Sequence, residues 1–327
     1  MDTQGWPQEA SEVFANAVTA EFATLTRRST PVTWPLTPYV EPGGTSIDVS
    51  SGLTYPSKAE RARRNPHVAL LFRDPAGSGI RDFPVVLVKG GATVTDRDLQ
   101  AGTDRYVRSA TTKLPDAYRS TPWPVLKMQA WYWVRIWIHV TPLEIMVWPH
   151  ADLDAAPSVW RAPQDTEVPP SDPAPKGRGP GPYQGAPTEW RPRARRALEV
   201  MGDPVLTVRH GEWPIPFPVR ATRITGDGFA FDIPNGAPAP AEGPACLTFH
   251  VHAERFAGQE NATFVGEVSH DGADARFRVE RLLGDFSLPG NRLGVTKAFL
   301  TKAAQLQPRL KAEAERRGQP VPKIHKP

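Results

Sequence analysis

The residues of this chain best spaced to act together are Lys58, Arg61 and Arg64, within SKAERARRNP (Ser57 to Pro66). Ser57 is a good helix N-cap and Asn65-Pro66 a good stop, so the run predicts a helix of about two turns. Lys58 and Arg61 are three apart and share a face that Arg64 continues. The amides of the first turn add partial positive charge. Such a face can seat a phosphate, at the edge of the apolar strand HVALLF (His67 to Phe72), whose pocket could hold an attached ring. A solvated surface helix has the same composition, and spacing alone does not separate the two.

A second constellation lies in FHVHAE. His250 and His252 alternate and so point to one strand face, with Cys246 and Glu254 in phase. Two imidazoles could ligate a metal or a haem. No third ligand with suitable spacing is evident, and alternating polar residues are what a solvated strand face requires, so no metal is expected. Trp131, Trp133 and Trp137 alternate in WYWVRIWIHV. They could stack on a ligand, but barrel core or inter-barrel packing is the expected use. Tyr55 is expected to pack as a surface aromatic. No acid, base or nucleophile stands out, so the catalytic residue is unknown.

The elements that must position these residues follow from pattern. The 327 residues suffice for two domains, and the lone Cys246 excludes an intrachain disulfide, as suits a reducing compartment. The N-terminal MDTQGWPQEASEVF has neither a basic n-region nor an apolar h-region, and no apolar run approaches the roughly 20 residues of a membrane span. A cytoplasmic protein with no membrane partner is expected. The formal charge of +4 permits an anionic ligand without announcing nucleic acid. A helix at about Gln8 to Ala20 precedes strand-like runs FATLTRR, PVTWPLTPYV, TSIDVSS, HVALLFRD, PVVLVKGGATV and WYWVRIWIHVTPLEIMVW, with a further helix at about Asp98 to Thr112. Strands in excess of helices argue for an antiparallel barrel with helical decorations. Residues 156–192 are dense in Pro and Gly and read as a linker that cannot offset the entropy of ordering. The expected division is a cofactor-binding domain over 1–155, that linker, a second barrel over 193–290, and a basic C-terminal helix and tail over 291–327. The tail helix should break near Pro308 and keep its Lys/Arg face solvated.

The second half repeats the first. Aligning ATLTRRSTPVTWP (Ala23 to Pro35) with LTVRHGEWPIPFP (Leu206 to Pro218) brings Thr24 to Thr207, Pro31 to Pro214, Val32 to Ile215 and Trp34 to Phe217. NPHVALLF then corresponds to GPACLTFH. From Gly52 to Pro66 is fourteen steps and from Gly236 to Pro244 eight, so the second copy lacks about six residues where the first has its basic helix. Scaffold needs alone would predict the helix in both.

The order SIDVSSGLTYPSKAERARRNPHVALLF resembles the flavin-binding split-barrel superfamily, which includes pyridoxamine 5'-phosphate oxidases and the flavin- or deazaflavin-dependent oxidoreductases. Its members carry a strand ending in Ser/Thr, here Ser50 and Ser51, then a Ser-(Arg)-Lys step, here Ser57-Lys58. A short helix, Asn65-Pro66 and an apolar strand follow. The Val-x-Gly step at Val88 to Gly90 resembles a later barrel strand. The resemblance covers residues 8–150 well and implies a mainly β fold of two tandem FMN-binding-type split β-barrels with short helical insertions and a C-terminal helix. By position it implies that Lys58, Arg61 and Ser57 hold the phosphate of FMN or coenzyme F420. Ser50 and Ser51 would bond near that phosphate, and Thr33, Trp34 and Pro35 would line the ring. Haem stands behind these as cofactor, because the superfamily includes haem-binding barrels. The extra arginine of the oxidases' Ser-Arg-Lys step is Pro56 here or absent, and their pyridoxal-recognition residues have no counterpart, so that activity itself is not expected. The implied function is a two-electron oxidoreductase acting on a small molecule, the alternative a non-catalytic flavin or haem carrier or sensor. The groove of such barrels lies at a dimer interface, so a pseudo-dimer within one chain or a homodimer is expected.

Overall fold

The computed structural model of the chain describes residues 5–119, 122–181, 189–238, 242–254, 258–271, 274–287 and 292–327. The runs of the first half form β1 (Ala20–Leu25), β2 (Pro31–Leu36), β3 (Ile47–Gly52), β4 (His67–Phe72), β5 (Val85–Thr95) and β6 (Arg135–Trp148). Helix α1 (Gln8–Asn16) precedes them and α2 (Ser57–Arg64) joins β3 to β4. Between β5 and β6 lie α3 (Leu99–Lys113), α4 (Pro115–Arg119), α5 (Trp123–Lys127) and α6 (Ala130–Trp133). After β7 (Ser158–Arg161), the second half comprises α7 (Trp190–Met201), β8 (Val205–His210), β9 (Trp213–Pro218), β10 (Arg220–Ile224), β11 (Gly228–Asp232), β12 (Gly243–Val251), β13 (Glu260–Asp271) and β14 (Asp274–Ser287). Helix α8 (Arg292–Arg316) follows.

The strands make two antiparallel sheets. The first runs β2-β1-β4-β5-β6-β3 with β7 beside β6; the second runs β9-β8-β12-β13-β14-β11-β10. Putting β8, β9, β11, β12, β13 and β14 for β1 to β6 converts the first order into the second, with β10 added. The chain is therefore mainly β, with two tandem split-barrel sheets and a C-terminal helix, and the shared order fits a tandem duplication. Among the described residues no helix joins β11 to β12, where the first half has α2.

Two of the aligned equivalences slip by one residue. Successive strand residues go to opposite faces. In β4, Val68, Leu70 and Phe72 enter the first half's own core, while Ala69 and Leu71 join the cluster that holds the core residues of the second half. In β12, Phe249 packs with Phe229 and Phe264, whereas Thr248 donates to Thr33 of the first half. Matching faces thus pairs Leu70 with Leu247 and Phe72 with Phe249, so Pro66 corresponds to Gly243 and not Pro244. Thr24 and Thr207 likewise look opposite ways: Thr24 accepts from Arg61 of α2, and Thr207 meets Thr33. A one-residue slip inverts which face is buried, which the few identities could not detect.

The outward faces of the two sheets pack on each other, and we call this junction the seam. Helix α7 covers the second core through Ala194 and Ala197, with Trp190 5.9 Å from Phe229.

Three expectations are corrected. The Pro/Gly-rich segment is not a free tether over its described part. Ser158–Arg161 pairs with β6; beyond it, Pro169 O accepts from Thr93 Oγ1 at 2.5 Å and the Asp172 carboxylate accepts from Asp96 N at 2.7 Å. Polar bonds to β5 and its end supply the ordering that apolar burial could not. Its residues 182–188, within GRGPGPYQG and after it, lie outside the described residues. Helix α8 runs through Pro308 and buries Leu306, Leu310 and Ala314 in the first core, and its basic face is not simply solvated, since Arg309 donates to Thr54 O and Arg316 pairs with Glu313. Trp131 and Trp133 sit on α6 and only Trp137 on a strand, though all three are buried as core. No helix of the described residues is long and apolar enough to cross a membrane.

Candidate functional site

Helix α2 has two charged faces held apart by Ala59 and Ala62, both fully buried. On the outer face Arg63 bonds Asp96 at 2.8 Å, and Arg317 bonds Glu60 and Asp96, each at 2.8 Å. Arg317 also pairs with Glu313. This network ties α2 to α8.

The inner face is different. Lys58 is half-buried with its ammonium 5.0 Å from the Trp34 ring centroid. Burial, then the charges of Arg61 and Arg135, lower its pKa from the ordinary lysine value to about 7. Arg61 donates from Nε to Thr24 Oγ1 at 2.9 Å, while one of its terminal amino groups is buried without a hydrogen-bond partner among the described residues. Burial, then Arg64, lowers its pKa to about 10. Arg135, the first residue of β6, lies over the rings of Tyr106 and Tyr132 at 4.5 and 4.6 Å, and its Nε is buried without an acceptor among the described residues. Among the described residues no carboxylate pairs with Lys58, Arg61 or Arg135.

The second half supplies the facing wall. Val32, Cys246 and Val265 form a small apolar group against which Trp34 and Leu283 pack. Burial pushes the Cys246 thiol up to about 11, so it is a neutral filler there. The Trp34 indole N–H is buried and has no acceptor among the described residues.

The residues expected from sequence are thus only partly assembled. Trp34, Lys58 and Arg61 converge, with Pro35 half-buried beside Trp34 on β2. Thr33 is fully buried in the seam, its hydroxyl 2.6 Å from that of Thr207 and its carbonyl accepting from Thr248 at 3.3 Å. Ser50 and Ser51 are buried on β3; Ser51 Oγ donates to Tyr55 O at 2.8 Å and shapes the turn into α2. Ser57 is exposed, and it is not the cap: Pro56 holds that position and no side chain caps the helix. Arg135 was missed; its one signal in the sequence is a lone cation inside an aromatic run. His250 and His252 do not lie on a solvated face. They are buried in the seam, facing Glu21 and Asp74 of the first half. Glu254 is exposed and apart from them.

No protein-family model and no curated protein matches the sequence. Among solved structures, a conserved hypothetical protein from Mycobacterium tuberculosis is 18% identical, with 46% of this chain and 89% of that one covered and a TM-score of 0.34. A putative pyridoxamine 5'-phosphate oxidase from Listeria innocua is 17% identical, covering 43% and 98%, with a TM-score of 0.29. A protein related to general stress protein 26, of the pyridoxinephosphate oxidase family, from Clostridium acetobutylicum is 14% identical, covering 47% and 92%, with a TM-score of 0.32.

Proposed function

We propose that the chain binds a phosphate-bearing redox cofactor, FMN or the deazaflavin F420, between α2, β2, the start of β6 and β12, and uses it for two-electron transfer to or from a small organic molecule. One observation carries this reading: Lys58, Arg61 and Arg135 converge with no carboxylate to balance them. Burying like charges together is costly, and an anion seated among them removes that cost. The donor set fits a phosphate by its chemistry, since Arg61 and Arg135 present buried N–H groups that lack acceptors among the described residues. Trp34 and the Val32–Val265 group offer an apolar wall for a ring beside it.

When bound, the flavin or deazaflavin supplies the hydride chemistry. The protein's part is to hold the phosphate with the three cations, to seat the ring against Trp34, and to exclude water with β12 and β13. One site per chain follows, because the second half lacks the basic helix and contributes the wall. Haem is disfavoured, since using His250 as an axial ligand would take it from Glu21 and Asp74.

The test is titration of the purified protein with FMN and with F420, followed by absorbance and fluorescence. One cofactor should bind at one equivalent per chain and more weakly to Lys58→Ala. No saturable binding of either refutes the reading, and two equivalents per chain refute its one-site form.

A further inference from the structure

We propose that Asp74, His250 and His252 bind a divalent metal ion of the zinc class, joining the two halves of the chain across the seam. The three side chains each bring one ligand atom, and these lie within 4.8 Å of one another. His250 Nε2 is 3.5 Å and His252 Nε2 3.3 Å from Asp74 Oδ2. A tetrahedral ion with bonds of about 2.1 Å sets its ligands about 3.4 Å apart; the two edges to Asp74 already have that spacing, and the third, between the imidazoles, is within 4.8 Å.

The orientation of each ligand points the same way. In metal sites the second imidazole nitrogen is held by a carboxylate or a backbone carbonyl, which turns the first toward the ion. Here His250 Nδ1 faces Glu21 Oε1 at 3.3 Å, and that carboxylate is held in turn by Arg73 Nε at 2.8 Å. His252 Nδ1 meets Ala253 O at 3.0 Å. Asp74 Oδ1 accepts from Ala76 N at 2.9 Å, which leaves Oδ2 for the cluster. Both imidazoles thus present Nε2 to the same carboxylate oxygen, each steadied from behind.

An independent observation concerns His250 itself. It is 5% exposed, and its ring nitrogens face Glu21 Oε1 at 3.3 Å and Asp74 Oδ2 at 3.5 Å, both long for charge-assisted hydrogen bonds. Buried imidazole nitrogens are seldom left so, and a metal bond at Nε2 satisfies the one that faces Asp74. The Asp74 side chain is 20% exposed, so a fourth position on that side is open to water or a small ligand. Asp74 and Glu21 come from the first sheet and its β4 loop, the histidines from β12 and just beyond it, so the ion would cross-link the halves.

The experiment starts from protein stripped with a chelator. Co²⁺ is added as a spectroscopic probe and Zn²⁺ by calorimetry, and the melting temperature is read with and without each. One equivalent per chain, a tetrahedral cobalt spectrum and a raised melting temperature are expected. Asp74→Asn and His252→Gln should each weaken uptake more than 100-fold, and Glu21→Gln, behind the ligand, by about 10- to 100-fold. Absence of saturable uptake by the wild type overturns the proposal. So does uptake that Asp74→Asn and His252→Gln both leave unchanged, since the ion would then sit elsewhere. If one variant fails to fold, the other and the wild-type cobalt spectrum still decide.

Discussion

The pH dependence of cofactor affinity tests the role of the Lys58, Arg61 and Arg135 cluster most directly. In the free protein Lys58 loses its proton near pH 7, because burial and the neighbouring Arg61 and Arg135 disfavour the ammonium. A phosphate seated beside it reverses that balance, so the complex holds the proton that the free protein has released. Binding above about pH 7 therefore takes up a proton, and affinity falls by about tenfold per pH unit as pH rises. Below about pH 6 a phosphate monoester gains its own proton, which ends the rise on the acid side. Lys58→Met removes one charge-assisted contact, worth about 1.5 to 3 kcal/mol, so FMN should bind roughly 10- to 150-fold more weakly near pH 6.5. The variant should also lose the alkaline slope. Fluorescence titration at fixed ionic strength measures both. A wild-type affinity that is flat between about pH 6.5 and 9, or a slope that persists in Lys58→Met, refutes the reasoning. Stability gives a second reading of opposite sign. Between about pH 7 and 10 the unfolded chain binds the Lys58 proton that the folded apo-protein has released, so folding stability rises with pH there. Lys58→Met should flatten that rise in urea denaturation.

Three further perturbations probe the frame around that cluster. Arg317→Ala leaves Asp96 and Glu313, whose side chains are 4% and 1% exposed, short of a partner in the network that ties α2 to α8. It should cost about 3 kcal/mol and lower the melting temperature by roughly 5 to 10 °C in calorimetry. Thr33→Val strands the Thr207 hydroxyl in the seam and should cost about 1 to 3 kcal/mol by chemical denaturation, of which adding Thr207→Val should restore a large part. At Gly90, beside the β5–β6 bulge, a Cβ would stand 2.5 Å from Val140 Cγ1 and 2.7 Å from Thr141 O. Gly90→Ala should therefore cost about 1 to 3 kcal/mol, and an unchanged midpoint would show that the bulge relaxes freely.

Local pattern carried the strands and α2, because their periods and turn residues are properties of neighbouring residues. The duplication was legible as a shared order of strands, yet its register was not. The identities of Leu70 with Leu247 and Phe72 with Phe249 emerge only when the buried faces are compared. Lys58 and Arg61 were legible from their spacing, whereas Arg135 joins them through pairing of Arg135 with Gly52 across β6 and β3. Asp74 and His252 meet only because the two halves fold onto one another, and no spacing rule spans 178 residues of separation between them. The solvated-face reading of FHVHAE failed for the same reason. Polar residues alternate there because their partners lie across the seam, a circumstance that alternation shares with exposure to water.

The division of charge on α2 explains why one copy keeps it. The run SKAERARR contains a single carboxylate, Glu60, and the fold draws it outward to Arg63, Arg316 and Arg317. Were the helix a solvated surface feature, nothing would require its one acid to be held away from Lys58 and Arg61. The outward pull depends on α8, which follows both barrels and, over its described side chains, packs into the core of the first. A second copy of α2 would have no such helix behind it, and its acid would be free to neutralise the inner face. The described residues of the second half instead contain no such helix, and β12 turns toward the first, with Cys246 and Val265 against Trp34. The uncompensated charge of α2 thus lies on its inner side, beside the wall that the other half provides. That is the arrangement an anionic ligand needs and a bare scaffold does not.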